Sequence, residues 1–281
     1  LVQPRGLVDE GLYAFASPLM QQLGYERLLR QDRQLLHLRA GRWILALQTQ
    51  HASDRLAEAA GHLEQGGDAT LACSVSLRAA EHLATRFAHA LVVQQASRVL
   101  RLAEPQDRGG RWQALLLRQR ALRLDGQAAA QAEDLDALAA LALRSGDPVQ
   151  HATVAVRRMV AQAEGGHAQK AAEAYPAALA AAQAAGDGTL VLLAYGTGSA
   201  ALRASGRHTE AQAAAEAGLA LAQGRRDGVC ESEMLLALAA IAIERGDVLA
   251  YRARLQQALA VQQETGDVFG ECLTRINEGV A

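Results

Sequence analysis

Several short stretches carry residue types that could do chemistry. Gly196-Thr197-Gly198-Ser199-Ala200 has the composition of a phosphate cradle. A nucleotide loop needs GxxxxGK[ST] between a strand and a helix. Here no Lys follows, and the surrounding sequence is helical, so small residues at a tight helix crossing are the better reading. No Walker-type sequence occurs elsewhere, and neither ATP hydrolysis nor a bound cofactor is expected. His82 and His89 stand seven residues apart, about two helical turns. Zinc pairs on a helix use a four-residue spacing instead, so no metal site is expected. Glu133, Asp134 and Asp136 crowd near the start of a helix predicted over 128–145. Acidic residues there complement the helix dipole, which outweighs an acid–base pair. No Ser/His/Asp or Cys/His arrangement is supported by spacing, and the chain reads as a non-enzyme.

Other residues point to binding. Arg245-Gly246-Asp247 spells an adhesion tripeptide, but Gly246 falls on a regular series of turn glycines. It reads as a helix stop followed by a helix cap, with Arg245 as a cation suited to a helix C-terminus. Replacing Arg245 by Ser is expected to change little. Arg27, Arg30, Arg33, Arg39 and Arg42 form the notable basic cluster, diluted by Glu26 and Asp32. A domain–domain contact is favoured, ahead of a merely solvated face and then of phosphate contact with DNA. Tyr175, Tyr195, Arg203 and Tyr251 fall in successive repeats. They are candidates either for anchors in a binding groove or for the bulky core of helical hairpins.

The elements that must position these residues follow from composition. Half of the 281 residues are hydrophobic, yet there are three Phe and two Trp. Ala, Leu, Gln, Glu and Arg dominate, and these are helix formers. An all-α fold is expected. A net charge of −2 gives no global field for nucleic acid. The apolar runs at 190–195 and 234–243 are shorter than the roughly 18 residues of a membrane span. No signal peptide is visible. The chain starts at Leu1, which suggests a piece of a longer protein. Cys73, Cys230 and Cys272 are widely spaced and odd in number, so small buried thiols of a cytoplasmic protein are expected.

Glycine supplies a ruler. Gly126, Gly146, Gly166, Gly186, Gly206, Gly246 and Gly266 are separated by multiples of twenty, and Gly224 and Gly228 straddle the missing mark near 226. Each interval fits one helix and a short turn. Gly-Asp recurs at 67–68, 146–147, 186–187, 246–247 and 266–267, pairing a left-handed stop with an N-cap. In 145–150, Pro148 takes the first helical position and Gln150 completes a capping-box spacing. Helix pairs are predicted at 68–105, 107–146, 147–186, 187–226 and 227–266, with another first helix beginning at 268 and an array that continues beyond it.

This pattern resembles the tetratricopeptide repeat family in a form of about forty residues. Ala211 and Ala215 fit positions where paired helices approach closely, whereas the consensus Trp is missing from most repeats. The resemblance implies a right-handed α-α superhelix of stacked hairpins. Residues 1–50 do not keep the ruler. Over 12–44, Phe15, Leu19, Tyr25, Leu28, Leu29, Arg33, Leu36 and His37 fall in a spacing that resembles the segment following the ATPase module of signal-transduction ATPases. These include LuxR-type and antibiotic-regulatory-type activators and multidomain nucleotide cyclases. Ser17 stands where that pattern has His. Residues 55–68, with His62 and a Gly-Asp turn, resemble the family's next segment.

The resemblance implies an upstream ATPase module and a short winged-helix-like connector over 1–50, followed by a repeat array over 51–281. It places Arg27, Arg30, Arg33 and His37 at an interdomain contact. The function expected is a non-catalytic regulatory interaction module of a larger bacterial signalling or transcription-regulatory ATPase. Its partner would be a protein, a peptide or a small effector, with no membrane. The alternative is a structural scaffold for self-association or assembly.

Overall fold

The computed structural model describes residues 2–4, 13–47 and 52–280. Residues 1, 5–12 and 48–50 of the expected connector lie outside the described residues. The fold is all-α, of the tetratricopeptide-like hairpin kind. Among the described residues there are fourteen α-helices, one 3-10 turn (Ala52–Arg55) and a short antiparallel pair, β1 (Val2–Pro4) with β2 (Tyr13–Phe15). The chain divides into two compact units, 1–134 and 135–281.

In the first unit, α1 (Pro18–Glu26) and α2 (Arg30–Ala46) precede α3 (Leu56–Gln65), α4 (Ala69–Ala84), α5 (His89–Leu102) and α6 (Arg108–Leu124). From α2 to α6 each helix packs on the next, and α4 also meets α6. Gly41 lets α2 approach α3, because a Cβ there would lie 2.8 Å from Leu63 Cγ. The apolar core is divided. One cluster joins Ile44, Leu63 and Val75; smaller ones gather around Val99 and Ala114, and around Val92 and Ala121. Ion pairs supplement it. Arg118 donates to Asp134 at 2.9 and 2.5 Å, and the Asp134 carboxylate is only 3% exposed.

Helix α7 (Ala128–Ser145) contains the boundary between the units. The sequence pattern makes its acidic residues partners of the helix dipole, but none lies in the first turn. Asp134 is held by Arg118, and Asp136 accepts from Arg158 at 2.5 Å.

The second unit continues with α8 (Pro148–Glu164), α9 (Ala168–Ala184), α10 (Gly188–Ala204), α11 (His208–Arg225), α12 (Gly228–Glu244), α13 (Val248–Thr265) and α14 (Val268–Val280). Each packs on its successor, and α8, α10 and α12 also meet in sequence. One continuous core runs from Ala152 to Ile241. Ala171, Ala211 and Ala215 are fully buried in this unit, so neighbouring backbones come close.

The turns refine the ruler. Its glycines are left-handed, as at Gly246 (φ 78°), while the missing mark is filled by Arg226 itself (φ 54°). Asp caps follow a forty-residue rather than a twenty-residue period. Asp107, Asp147, Asp187, Asp227 and Asp267 each accept a backbone N–H at the start of a helix. These open the first helix of each hairpin; second helices α9 and α11 start at His167 and Arg207 without a side-chain cap. Asp247, which caps α13 through Ala250 N–H at 2.9 Å, is an exception. Ser17 makes no side-chain cap to α1. One local expectation changes. Gln150 does not close a capping box: the Asp147 N–H is taken by Ser145 Oγ at 3.2 Å, and Gln150 Oε1 lies 2.8 Å from that hydroxyl.

Candidate interaction surface

The second unit seats large side chains on glycines of the following helix. The Tyr175 ring from α9 lies against α10 at Gly198, where a Cβ would collide with it. Tyr195 and Met234 close on Gly218 of α11, where a Cβ would lie 3.0 Å from Tyr195 Cβ and 2.7 Å from Met234 Sδ. A Cβ on Gly196 would lie 2.9 Å from Met234 Cε, and Ser199 Oγ donates to the Ala211 carbonyl at 2.9 Å. The glycine-rich stretch 196–200 is therefore a packing seam.

Tyr175 and Tyr195 share a cavity of about 270 Å³ with Pro176, Leu202 and the Arg207–Glu210 ion pair. Pro176 lies inside α9. It has no N–H to give the Ala172 carbonyl one turn back, and Ala172 lines the same cavity. Burial, and secondarily the neighbouring Tyr195, pushes the Tyr175 phenol up to about 12. It is thus a neutral hydroxyl at physiological pH, suited to hydrogen bonding rather than proton transfer.

Arg203 and Tyr251 take other partners. Arg203, in the last turn of α10, pairs with Glu244 at the end of α12, and His208 Nδ1 stands 3.5 Å from the same carboxylate. Tyr251 Oη donates to the Asn277 carbonyl at 2.9 Å, fastening α13 to α14. The structure therefore brings two of the four sequence candidates into one cavity and uses the others between hairpins.

In the first unit, Arg27 and Arg30 are exposed at the α1–α2 junction, while Arg33 lies over the Tyr25 ring at 5.2 Å. Tyr25 Oη is 3.0 Å from His37 Nε2, and His37 Nδ1 is 2.8 Å from His62 Nδ1. The two Nδ1 atoms must share one proton, so one ring donates and the other accepts. Burial and then His62 hold His37 below the ordinary imidazole range. This polar chain crosses α1, α2 and α3. Leu19, Leu23 and Leu29 are exposed, and α1 buries no residue.

His82 bonds Asp54 at 2.9 Å, whereas His89 sits beside the Phe87 ring. Among the described residues no group of three or more His, Cys, Asp or Glu is placed to hold a metal ion. None of their helices is long and apolar enough to cross a membrane. The expectation of three buried thiols holds for Cys73 alone; Cys230 is half-buried and Cys272 exposed. Arg245 is more than a dipole partner, since its guanidinium donates to Gln212 Oε1 at 2.6 Å across to α11. The residue that sequence reading missed is Pro176, whose interior position in an Ala-rich helix was the available signal.

No family model matches the chain, and no curated protein matches it in sequence. Solved structures match its fold. A Rap protein, solved in complex with competence and sporulation factor, superposes with a TM-score of 0.58 at 13% identity, over 88% of this chain and 72% of that one. A Signal Transduction ATPase with Numerous Domains from Pyrococcus horikoshii, which has a tetratricopeptide repeat sensor, gives 0.55 at 15% identity. That match takes in 94% of this chain but 39% of the ATPase. BtubC (BKLC) from P. vanneervenii gives 0.54 at 17% identity, over 84% and 91% of the two chains. At these identities the likeness is one of fold: a tetratricopeptide-like helical repeat.

Proposed function

We propose that this chain is a non-catalytic, cytoplasmic regulatory module of a larger bacterial signalling or transcription-regulatory ATPase. It binds a protein or peptide through its helical-repeat surface. The observation that carries the reading is the cavity lined by Tyr175 and Tyr195, where aromatic walls, Pro176 and Arg207 meet on one array. Aromatic and Arg anchors in a pocket are the usual sources of binding energy. The fold likeness to a Rap protein solved with competence and sporulation factor, and to an ATPase with a tetratricopeptide repeat sensor, supports the same reading. The exposed face of α1 and α2, with Leu19, Leu23, Leu29, Arg27 and Arg30, is where the ATPase module would dock. Binding on the array then biases the ATPase between two states through differential affinity. Deleting residues 51–281 from the full-length protein should change its response to cellular signals. Identical responses with and without the array would overturn the proposal.

The scaffold reading has one observation of its own. Phe269, Leu273 and Ile276 form an exposed apolar stripe on α14, 75%, 46% and 58% accessible. Light scattering across concentration separates the two readings, because persistent oligomers indifferent to any effector favour the scaffold.

A further inference from the structure

A second cleft of about 220 Å³ lies between α11, α12 and α13 and shares no lining residue with the tyrosine cavity. Four charged side chains line it: Arg245, Arg254, Glu216 and Asp247. Its apolar lining includes Leu238 and Ile241, both buried. Two charges of each sign thus share one small space, yet none of the four pairs with another. Arg245 donates to Gln212 Oε1 at 2.6 Å and to Thr209 Oγ1 at 3.4 Å. Arg254 donates to Gln257 Oε1 at 3.1 Å. Glu216 accepts from Gln212 Nε2 at 2.8 Å, and Asp247 accepts only its backbone cap. Elsewhere in this unit Arg and acid do pair, as in Arg203 with Glu244 and Arg207 with Glu210.

We infer that this cleft binds a free α-amino acid with a short apolar side chain. The two guanidiniums take its carboxylate, Glu216 takes its ammonium, and Leu238 and Ile241 receive the side chain. The chemistry selects this class over simpler ones. A plain anion would meet Glu216 and Asp247, and a plain cation would meet two arginines. A wholly apolar ligand would leave all four charges unserved. Size agrees, since about 220 Å³ lies below the roughly 300–1,000 Å³ of pockets that hold drug-sized ligands. A guanidinium fork suits a carboxylate in particular.

The test uses the intact chain and L-leucine as probe, followed by calorimetry and by NMR shifts of cleft residues. Leucine should bind and perturb Ala242 and Ala250. L-leucinamide and N-acetyl-L-leucine, each lacking one charged pole, should bind roughly tenfold more weakly or worse. Arg254→Gln and Glu216→Gln should weaken leucine by a similar factor while leaving thermal unfolding unchanged. The inference is overturned by no leucine binding at millimolar concentration, by equal binding of all three probes, or by indifference to both substitutions. Tighter binding of a blocked peptide than of leucine would do the same and assign the cleft to peptides. The outcome is separate from the regulatory reading. If leucine fails while deletion of the array still alters signalling, this inference alone falls.

Discussion

The two units solve the same packing problem with different chemistry. The second unit has one continuous core in which Ala and Gly let helices approach and tyrosines sit on the glycines of their neighbours. The first unit has a divided core supplemented by ionic and polar links: Glu64 held by Arg98 and Arg101, Asp134 by Arg118, and the Tyr25–His37–His62 chain. Close packing makes the second unit sensitive to added volume. Polar links, most of them only partly buried, make the first sensitive to lost partners and to protons.

The largest effect is expected in the first unit. Asp134→Ala leaves the Arg118 guanidinium, whose side chain is a quarter exposed, without its buried partner. Breaking such a pair costs about 3 kcal/mol. Trp43 and Trp112 both lie in this unit, so tryptophan fluorescence during denaturant unfolding reads the loss. Replacing both partners by apolar residues should recover much of it, which a simple cavity effect would not do.

Next comes added volume in the second unit. Gly198→Ala drives a methyl into the Tyr175 ring and should cost about 2 kcal/mol by overpacking. A simultaneous Tyr175→Ala should relieve that clash, so the double variant falls short of the sum of the single ones. Strict additivity would show that the ring is not seated on Gly198.

The turns give a smaller, signed contrast. Gly246→Val forces a β-branched residue to positive φ and should destabilise by about 1–2 kcal/mol, whereas Arg226→Gly should stabilise by about 0.5–1 kcal/mol. Circular dichroism melting of both variants checks the opposite signs.

The smallest effect is one of pH. The folded state lowers the His37 pKa, so the neutral ring is favoured. The resulting stability is present above the unfolded value near 6.5 and is lost as pH falls through the lower folded value. The tryptophan-reported melting point should therefore drop on going from about pH 7 to pH 5, and His37→Phe should flatten that drop. Equal slopes in both proteins would remove the histidine pair from the account.

Much of this was legible in the sequence because turns are local. A left-handed glycine and an Asp cap are written within two residues, so Gly146-Asp147 and Gly246-Asp247 marked their helix ends directly. Where a glycine was missing, the turn remained but its left-handed residue, Arg226, was hidden, because nothing in its side chain signals positive φ. Long-range pairing was less accessible. By its place in sequence Asp134 reads as a dipole partner, but α6 brings Arg118 to it. Arg203 and Tyr251 looked like neighbours of Tyr175 and Tyr195, but each reaches a different helix. Pro176 was readable as a break in helical bonding, while its place beside the two tyrosines depends on how α9 and α10 cross.

The role proposed for the array is to regulate an ATPase in the same full-length protein. Its most direct test is steady-state nucleotide hydrolysis by the full-length protein with residues 51–281 present and removed. A clear change in the hydrolysis rate or in its response to cell extract is predicted. Identical rates and identical responses would contradict the account.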